Sequence, residues 1–213
     1  GDRPKCIVPL INLGSLSVSP GAAGTVMPAS FELSASPLPG LLVFERSPVY
    51  DHRGGFDRLF DSVVVGAASA EIVVRHVNLA SNCAKATIRG MHYQTSPHSE
   101  TKVVTCLRGR AFDVVVDIRA GSSTFLESHA EVLSPDLLKT IVIPPGFAHG
   151  YQTLEDDTEL LYLHSVGFEP DAQCGLHPFD DTLDISWPLP PVALSERDSQ
   201  HPLVVSGWEG VLL

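Results

Sequence analysis

The residues best suited to acid–base chemistry lie between positions 86 and 109. Arg89 and His92 occupy a β-prone segment there, and after a Pro-containing loop Lys102 opens a second, alternating segment. Arg89 and His92 are three residues apart, so on a regular strand they point to opposite faces unless Gly90 forms a bulge. An imidazole can remove a proton beside a carbonyl while a cation holds the enolate oxygen. The stretch therefore predicts a proton-abstraction site on one hairpin; the competing interpretation is a surface hairpin with ordinary charges.

A second candidate histidine, His149, follows a Pro-Gly turn in Ile143-Pro-Pro-Gly-Phe-Ala-His-Gly. This P-x-G-x-x-H pattern resembles the second motif of the cupins, a jelly-roll superfamily. Metal-binding cupins use a first motif with His-x-His and a Glu, but here the sequence is His92-Tyr-Gln94. Three or four ligands are needed to hold a catalytic divalent ion. His98 and Glu100 have the wrong spacing to complete such a set, so no metal site is predicted.

Short β-branched or aromatic segments separated by Gly, Pro, Asp or Ser must position these side chains. The predicted strands are 41–45, 63–65, 72–77, 102–107, 111–118, 129–133, 140–143, 150–154 and 159–164. Only Ala67–Ala70 and Ser134–Leu138 suggest helical turns. The pattern predicts an all-β protein, an antiparallel sandwich or barrel. Residues 1–38 are predicted to be an N-terminal extension or arm, and 39–213 the folded domain.

Composition restricts the function classes. The 213 residues carry a formal net charge of −11, which argues against a nucleic-acid partner, since non-specific binding needs a basic surface. No apolar run is long enough for a membrane span and no signal core is visible at the N-terminus, so no membrane association is expected. The four cysteines lie far apart without a C-x-x-C pair. This spacing favours a reducing, cytoplasmic setting.

Taken together, motifs over residues 41–202 resemble the dTDP-4-dehydrorhamnose 3,5-epimerase family. Their order and spacing are more specific than any single motif. The matching segments are Asp51-x-Arg53-Gly-x-Phe56, Asn78, Arg89-Gly-Met-His92-Tyr-Gln, Lys102, Arg108-Gly, Phe112 to Phe125, Ile143-Pro-x-Gly-Phe-Ala-His149-Gly, Leu161-Tyr162, Trp187-Pro and Leu194-Ser-x-Arg-Asp198.

The resemblance implies a metal-independent, cupin-like jelly-roll enzyme without a cofactor, which epimerises a nucleotide-linked 4-keto-6-deoxyhexose. By the same resemblance, His92 is the base and Asp198 the carboxylate that orients it. Lys102 holds the enolate oxygen, Tyr162 returns a proton from the opposite face, and His149 lines the cavity. These roles suit the chemistry, because inversion requires the proton to leave one face and return to the other.

The resemblance also implies a homodimer with shared active sites. Arg89, and Arg53 from the partner subunit, would meet the diphosphate of the substrate. Phe56 and Asn78 would lie nearer the nucleotide.

Three positions depart from the family pattern. Arg58 stands where a Glu is usual, His76 where a Gln is usual, and Glu100 replaces the Gln before the catalytic Lys. The first two bear on nucleotide contacts, so the nucleotide, the deoxysugar and the number of centres inverted stay open. Asp113 shares a strand face with Asp117 and is expected to hydrogen-bond a site residue. Two other functions remain as alternatives: a metal-dependent cupin enzyme, and a sugar-nucleotide binding protein without turnover.

Overall fold

Two antiparallel sheets packed face to face dominate the computed structural model, which describes residues 29–69 and 72–213. One sheet has six strands in the order β1 (Ser30–Ala35), β2 (Leu42–Ser47), β10 (Lys139–Ile143), β7 (Lys102–Arg108), β12 (Thr158–His164) and β5 (His76–Asn82). The other has five, in the order β13 (Gln173–Gly175), β6 (Ile88–Gln94), β11 (Phe147–Thr153), β8 (Ala111–Asp117) and β9 (Ser128–Leu133). A separate hairpin pairs β3 (Val49–Asp51) with β4 (Gly54–Phe56). The all-β, cupin-like jelly-roll prediction is confirmed.

Apolar side chains cover both faces of each large sheet. Val104 and Ile141 of the six-stranded sheet meet Val115 and Tyr151 of the five-stranded sheet in the central core. Further apolar clusters cover the outer faces, so the consecutive valines of β8 are buried on both sides. Strands buried on both faces lose the simple alternation of a half-exposed strand. Within the described residues, no helix is long and apolar enough to cross a bilayer.

Local structure departs from the sequence prediction at several places. The predicted strand 63–65 is part of helix α1 (Ser62–Ala68), because Asp61 caps its first turn and Val65 packs into the outer core. The strand predicted at 72–77 begins only at His76. The segment predicted as a helical turn, Ser134–Leu138, forms a non-helical turn that ends with Leu138 at a φ of 54°.

The proposed one-hairpin arrangement of His92 and Lys102 is wrong. β6 and β7 follow each other in the chain but belong to different sheets, so the loop between them crosses from one layer to the other. The reason is pairing: β6 bonds to β11 and β13, while β7 bonds to β10 and β12. The base and the cation therefore approach each other across the interior.

The conditional bulge at Gly90 is present. His92 pairs with His149 and Arg89 with Tyr151, so three steps on β6 match two on β11. Gly90 has a φ of +136°, and an added Cβ would lie 2.5 Å from the Cα of Gly150, so only glycine fits there. The bulge turns Arg89 and His92 to the same side.

The last residues of the predicted N-terminal extension belong to the sheet. β1 pairs with β2, and Phe31 stacks on Phe44 with ring centroids 4.6 Å apart. Residues 1–28 lie outside the described residues. For residues 1–28, the assignment to an N-terminal extension stays a prediction.

Candidate active site

A cavity of about 260 Å³ opens between the two sheets. Strands of both layers line it, and many of the lining side chains are ionisable or aromatic. From the five-stranded sheet come Arg89, His92, Gln94, His149 and Tyr151; from the six-stranded sheet come His76, Asn78, Lys102, Tyr162 and His164. The structure thus brings together six of the nine sequence-predicted site residues in one cavity, namely His92, Lys102, Tyr162, Asn78, Arg89 and His149.

His92 and Asp198 form a hydrogen-bonded pair, with 2.7 Å between Nε2 and Oδ1. Asp198 lies on the short helix α2 (Glu196–Ser199), whose first turn is capped by the Ser195 hydroxyl. Its other oxygen accepts from the Gly90 N–H at 3.2 Å. Burial would raise the pKa of Asp198, but the bonds from His92 and Gly90 outweigh burial and hold that pKa below its ordinary value. The ionised carboxylate keeps the His92 proton on Nε2 and leaves Nδ1 as the free base.

Lys102 points from the opposite sheet toward the same wall. Its Nζ donates to the His92 carbonyl oxygen at 3.0 Å and lies 3.4 Å from Glu100 Oε1. Glu100 also bonds to His164 Nδ1 at 2.8 Å. Burial would raise the Glu100 pKa, yet His164 and Lys102 together lower it. A buried ammonium held this way can stabilise an oxyanion in the cavity.

Tyr162 stands on β12, in the sheet opposite His92. Its ring stacks on His164 at 5.7 Å and meets His149 edge-on at 5.9 Å. Among the described residues its hydroxyl has no hydrogen-bond partner, so the group is free to bond a ligand. Burial, with Tyr151 and Asp113 nearby, raises its pKa well above the ordinary value, so the phenol keeps its proton.

His149 is fixed from behind by Asp113, with 2.8 Å between Nε2 and Oδ2. Both side chains are almost fully buried. The expected role of Asp113 as a hydrogen-bonding partner of a site residue agrees with this contact. The bond to Asp113 thus fixes the orientation of the His149 ring at the cavity wall.

Arg89 lies exposed at the cavity rim, and Asn82 holds it there. Arg89 Nε donates to Asn82 Oδ1 at 2.8 Å, and the Tyr151 hydroxyl donates to the same oxygen at 3.1 Å. Asn82 is itself anchored by a bond to the Thr158 carbonyl at 3.0 Å. Asn78 lines the open side of the cavity on β5, an edge strand. This rim can receive an anionic group.

Arg53 and Phe56 do not line the cavity of their own chain. Arg53 forms a bidentate ion pair with Asp51 and is 78% exposed, and Phe56 is 69% exposed on β4. The Asp57 carboxylate pairs with the buried Arg46 and fixes the base of this hairpin. The hairpin therefore contributes no side chain to the cavity of its own chain.

Sequence reasoning missed several cavity residues. Tyr151 and His164 each lie two residues from a predicted site residue on the same strand, so strand alternation could have found them. Phe168 lies in a loop and Gln173 lies on the short strand β13, and neither position carries a comparable sequence signal. Gln94 is occupied by bonds to Glu169 N and the His98 carbonyl, so it offers no free ligand atom.

The described residues contain one group of His, Cys, Asp or Glu side chains that could converge on an ion: His92, Asp198 and His201. It includes neither His98 nor Glu100, the two side chains considered for a cupin-type set. The cavity itself offers a base on one wall, a proton donor on the other and a cation between them. Such an arrangement can remove a proton from one face of a carbonyl compound and return one to the other face.

Comparison with known proteins agrees with this geometry. The family model for dTDP-4-dehydrorhamnose 3,5-epimerase matches residues 35–205. A dTDP-4-dehydrorhamnose 3,5-epimerase from Mycolicibacterium smegmatis is 38% identical over 75% of this chain and 80% of its own length. A dTDP-4-dehydrorhamnose 3-epimerase from Streptomyces niveus is 34% identical over 68% of this chain and 72% of its own. The Bacillus anthracis 3,5-epimerase structure, with TDP and PPi bound, superposes with a TM-score of 0.79 at 28% identity, covering 82% of this chain and 100% of that one.

These similarities extend over most of the chain and include the strands that carry the cavity. The protein is an epimerase, an enzyme of the isomerase class. The chain belongs to the dTDP-4-dehydrorhamnose 3,5-epimerase family.

Proposed function

We propose that the protein inverts C3, C5 or both of a dTDP-linked 4-keto-6-deoxyhexose, in the biosynthesis of a deoxysugar of the dTDP-L-rhamnose type. The observation that carries this proposal is that His92 on one sheet is paired with Asp198 of α2, while Tyr162 lies on the other sheet, with the cavity between His92 and Tyr162. A 4-keto group acidifies the hydrogens on C3 and C5. Inversion needs a base and an acid on opposite faces of the sugar ring.

The steps follow from the contacts. His92 Nδ1 removes the α proton, and Asp198 stabilises the imidazolium that forms. The electron pair moves onto the 4-keto oxygen, where the Lys102 ammonium stabilises the negative charge. Tyr162, protonated at neutral pH, delivers a proton to the opposite face. His92 then releases its proton to solvent and the Tyr162 phenolate takes one up from solvent, which completes the cycle.

The nucleotide end of the substrate is assigned to the cavity rim. Arg89, held by Asn82, meets the diphosphate, Asn78 lies nearer the nucleotide, and His149 lines the cavity beside the sugar. The B. anthracis relative has TDP and PPi bound, which supports a diphosphate-containing substrate for this chain. Arginine suits a diphosphate because its planar fork makes paired bonds to phosphate oxygens.

We further propose a homodimer with shared sites. Arg53 and Phe56 lie outside the cavity of their own chain on a hairpin that also exposes 73% of Tyr50. β5, at the open side of the cavity, exposes Val77 and Leu79 by more than half. Exposed apolar groups on an edge strand and a hairpin suit a two-fold contact, in which each hairpin supplies Arg53 and Phe56 to the partner's cavity.

The cysteines bear on the cellular location of the protein, and the relatives bear on which carbons are inverted. Within the described part of the chain, Cys83, Cys106 and Cys174 form no disulfide, which suits the reducing cytoplasm proposed here as the location. The relatives include both a 3,5-epimerase and a 3-epimerase, so either outcome is compatible with this scaffold.

The test is NMR detection of deuterium entry from deuterated water into dTDP-4-keto-6-deoxyglucose. Wild type should exchange at C3, at C5 or at both, which identifies the centres that are inverted. His92→Ala should lose exchange at every carbon, because no other group stands in its position. Retained exchange in a folded His92→Ala protein would refute the assignment of the base. Binding without any wild-type exchange would instead favour a non-catalytic binding protein.

A further inference from the structure

An imidazole outside the cavity lies against the His92–Asp198 pair. His201 Nε2 is 3.6 Å from Asp198 Oδ1, and its ring meets the His92 ring edge-on with centroids 5.5 Å apart. The ring fits because residue 175 is glycine, where an added Cβ would lie 2.4 Å from Nε2. Among the described residues this buried Nε2 has no hydrogen-bond partner. Buried polar atoms without a partner are uncommon, so the nitrogen calls for an explanation.

The three side chains nearly match a metal site. One ligand atom from each of His92, Asp198 and His201 lies within 4.8 Å of the other two. With Zn–N and Zn–O bonds of about 2.0–2.2 Å, tetrahedral ligand atoms stand roughly 3.3–3.5 Å apart. The 3.6 Å between His201 and Asp198 already fits this spacing. The 2.7 Å between His92 and Asp198 must open by less than about 1 Å.

We propose that His92, Asp198 and His201 form an inhibitory site for Zn²⁺ and similar divalent transition ions. Two imidazoles and a carboxylate are a ligand set that zinc accepts, with a fourth position left for water. The ion lies behind the His92 ring, because neither Asp198 nor His201 lines the cavity. The His201 side chain is 11% exposed, although its Nε2 is buried.

Occupancy inactivates the base by changing its tautomer. A neutral imidazole whose Nε2 lone pair binds a metal carries its single proton on Nδ1. That proton moves from Nε2 to Nδ1 through solvent, with no net release. Nδ1, the atom assigned to proton abstraction in the proposed function, then has no lone pair to accept the α proton. Substrate binding is unaffected, so kcat falls while KM does not change. This kinetic part rests on the proposed function, whereas metal binding does not.

Binding is tested by calorimetric titration of EDTA-treated protein with Zn²⁺ in the absence of substrate. Wild type should bind about one ion per chain. His201→Gln should weaken binding by more than the 10- to 100-fold typical of losing a partner behind a metal ligand. His177→Gln is the matched control, since His177 is a neighbouring histidine outside the group, and it should bind like wild type. Equal Zn²⁺ affinity in wild type and His201→Gln, or no binding by wild type, overturns the proposal.

Co²⁺ absorption identifies the ligands in wild type without any substitution. The bound ion should show no thiolate charge-transfer band, because the proposed ligands are nitrogen and oxygen. Such a band would place the ion on a cysteine thiolate and contradict the site.

The kinetic measurement compares each protein with and without saturating Zn²⁺. In wild type kcat should fall by roughly 10²- to 10⁴-fold at constant KM and recover with EDTA, as expected for loss of a positioned base. The ratio of kcat with and without zinc should stay near 1 in His201→Gln. A rise in KM at constant kcat would place the ion in the cavity instead. Intact zinc binding in a protein that never turns over would refute the proposed function and leave the site standing.

Discussion

Replacing Asp198 with Asn tests the active-site geometry most directly. In the wild type one oxygen of Asp198 accepts from His92 Nε2 at 2.7 Å and the other from Gly90 N at 3.2 Å. An amide has only one oxygen, so it can satisfy only one of these two donors. If that oxygen faces Gly90, the amide nitrogen donates to His92 and forces the ring proton onto Nδ1. The base then has no lone pair toward the substrate.

The other amide orientation is also unfavourable. With its oxygen toward His92, the Asn nitrogen meets the Gly90 N–H, and two donors face each other in a buried position. The negative charge that stabilises the imidazolium is lost in both orientations. We expect proton abstraction to fall by roughly 10³- to 10⁴-fold, because a catalytic His in the wrong tautomer loses up to about 10⁴ in rate. This corresponds to about 4–5 kcal/mol of transition-state stabilisation.

The assay is the initial rate of deuterium entry by NMR, with folding checked by circular dichroism. Asp180→Asn is the matched control, because Asp180 is a buried carboxylate that accepts from the Thr182 and Val204 N–H groups but does not line the cavity. It should cost stability and leave exchange near the wild-type rate. Exchange in Asp198→Asn within tenfold of wild type would refute the proposed His92–Asp198 pair.

The other expectations concern the acid, the cation and the assembly. Tyr162→Phe should retain deuterium entry through His92 but lose inverted product by roughly 10²- to 10⁴-fold, and inversion at the wild-type rate would place the acid elsewhere. The pKa of Glu100 is lowered, so its ionised form stabilises the fold above its ordinary pKa, and this contribution disappears as the pH falls through the lower folded value. The stability difference between wild type and Glu100→Gln in urea titrations should therefore shrink from pH 7 to acid pH; a constant difference would contradict the Glu100–Lys102 contact. Sedimentation should give a dimer, and mixing Arg53→Ala with His92→Ala subunits should restore about a quarter of wild-type turnover, since half of the dimers carry one intact shared site. No recovery after verified subunit exchange would argue for sites built from one chain.

Much of the architecture could be predicted from local sequence. Alternating and β-branched segments indicated the strands around Lys102, Asp113 and Tyr162, because side-chain direction in a strand has a period of two residues. The ordered motifs also indicated the family, which the comparisons confirm. Propensity alone was wrong at 63–65, where the cap at Asp61 and burial of Val65 outweigh the β preference of valine.

Only the tertiary structure decided which residues meet. Asp198 reaches His92 from 106 positions along the chain; the family resemblance implied this pair, but neither local pattern indicates the other. Only a short loop separates Lys102 from β6, yet Lys102 lies in the other sheet. Strand pairing is set by hydrogen bonds between distant segments rather than by chain order. The sequence by itself determined the chemical groups and the strand-forming segments. Packing of two sheets, with a glycine bulge at residue 90, determined that these groups face one cavity, since face and distance depend on contacts between segments far apart in the chain.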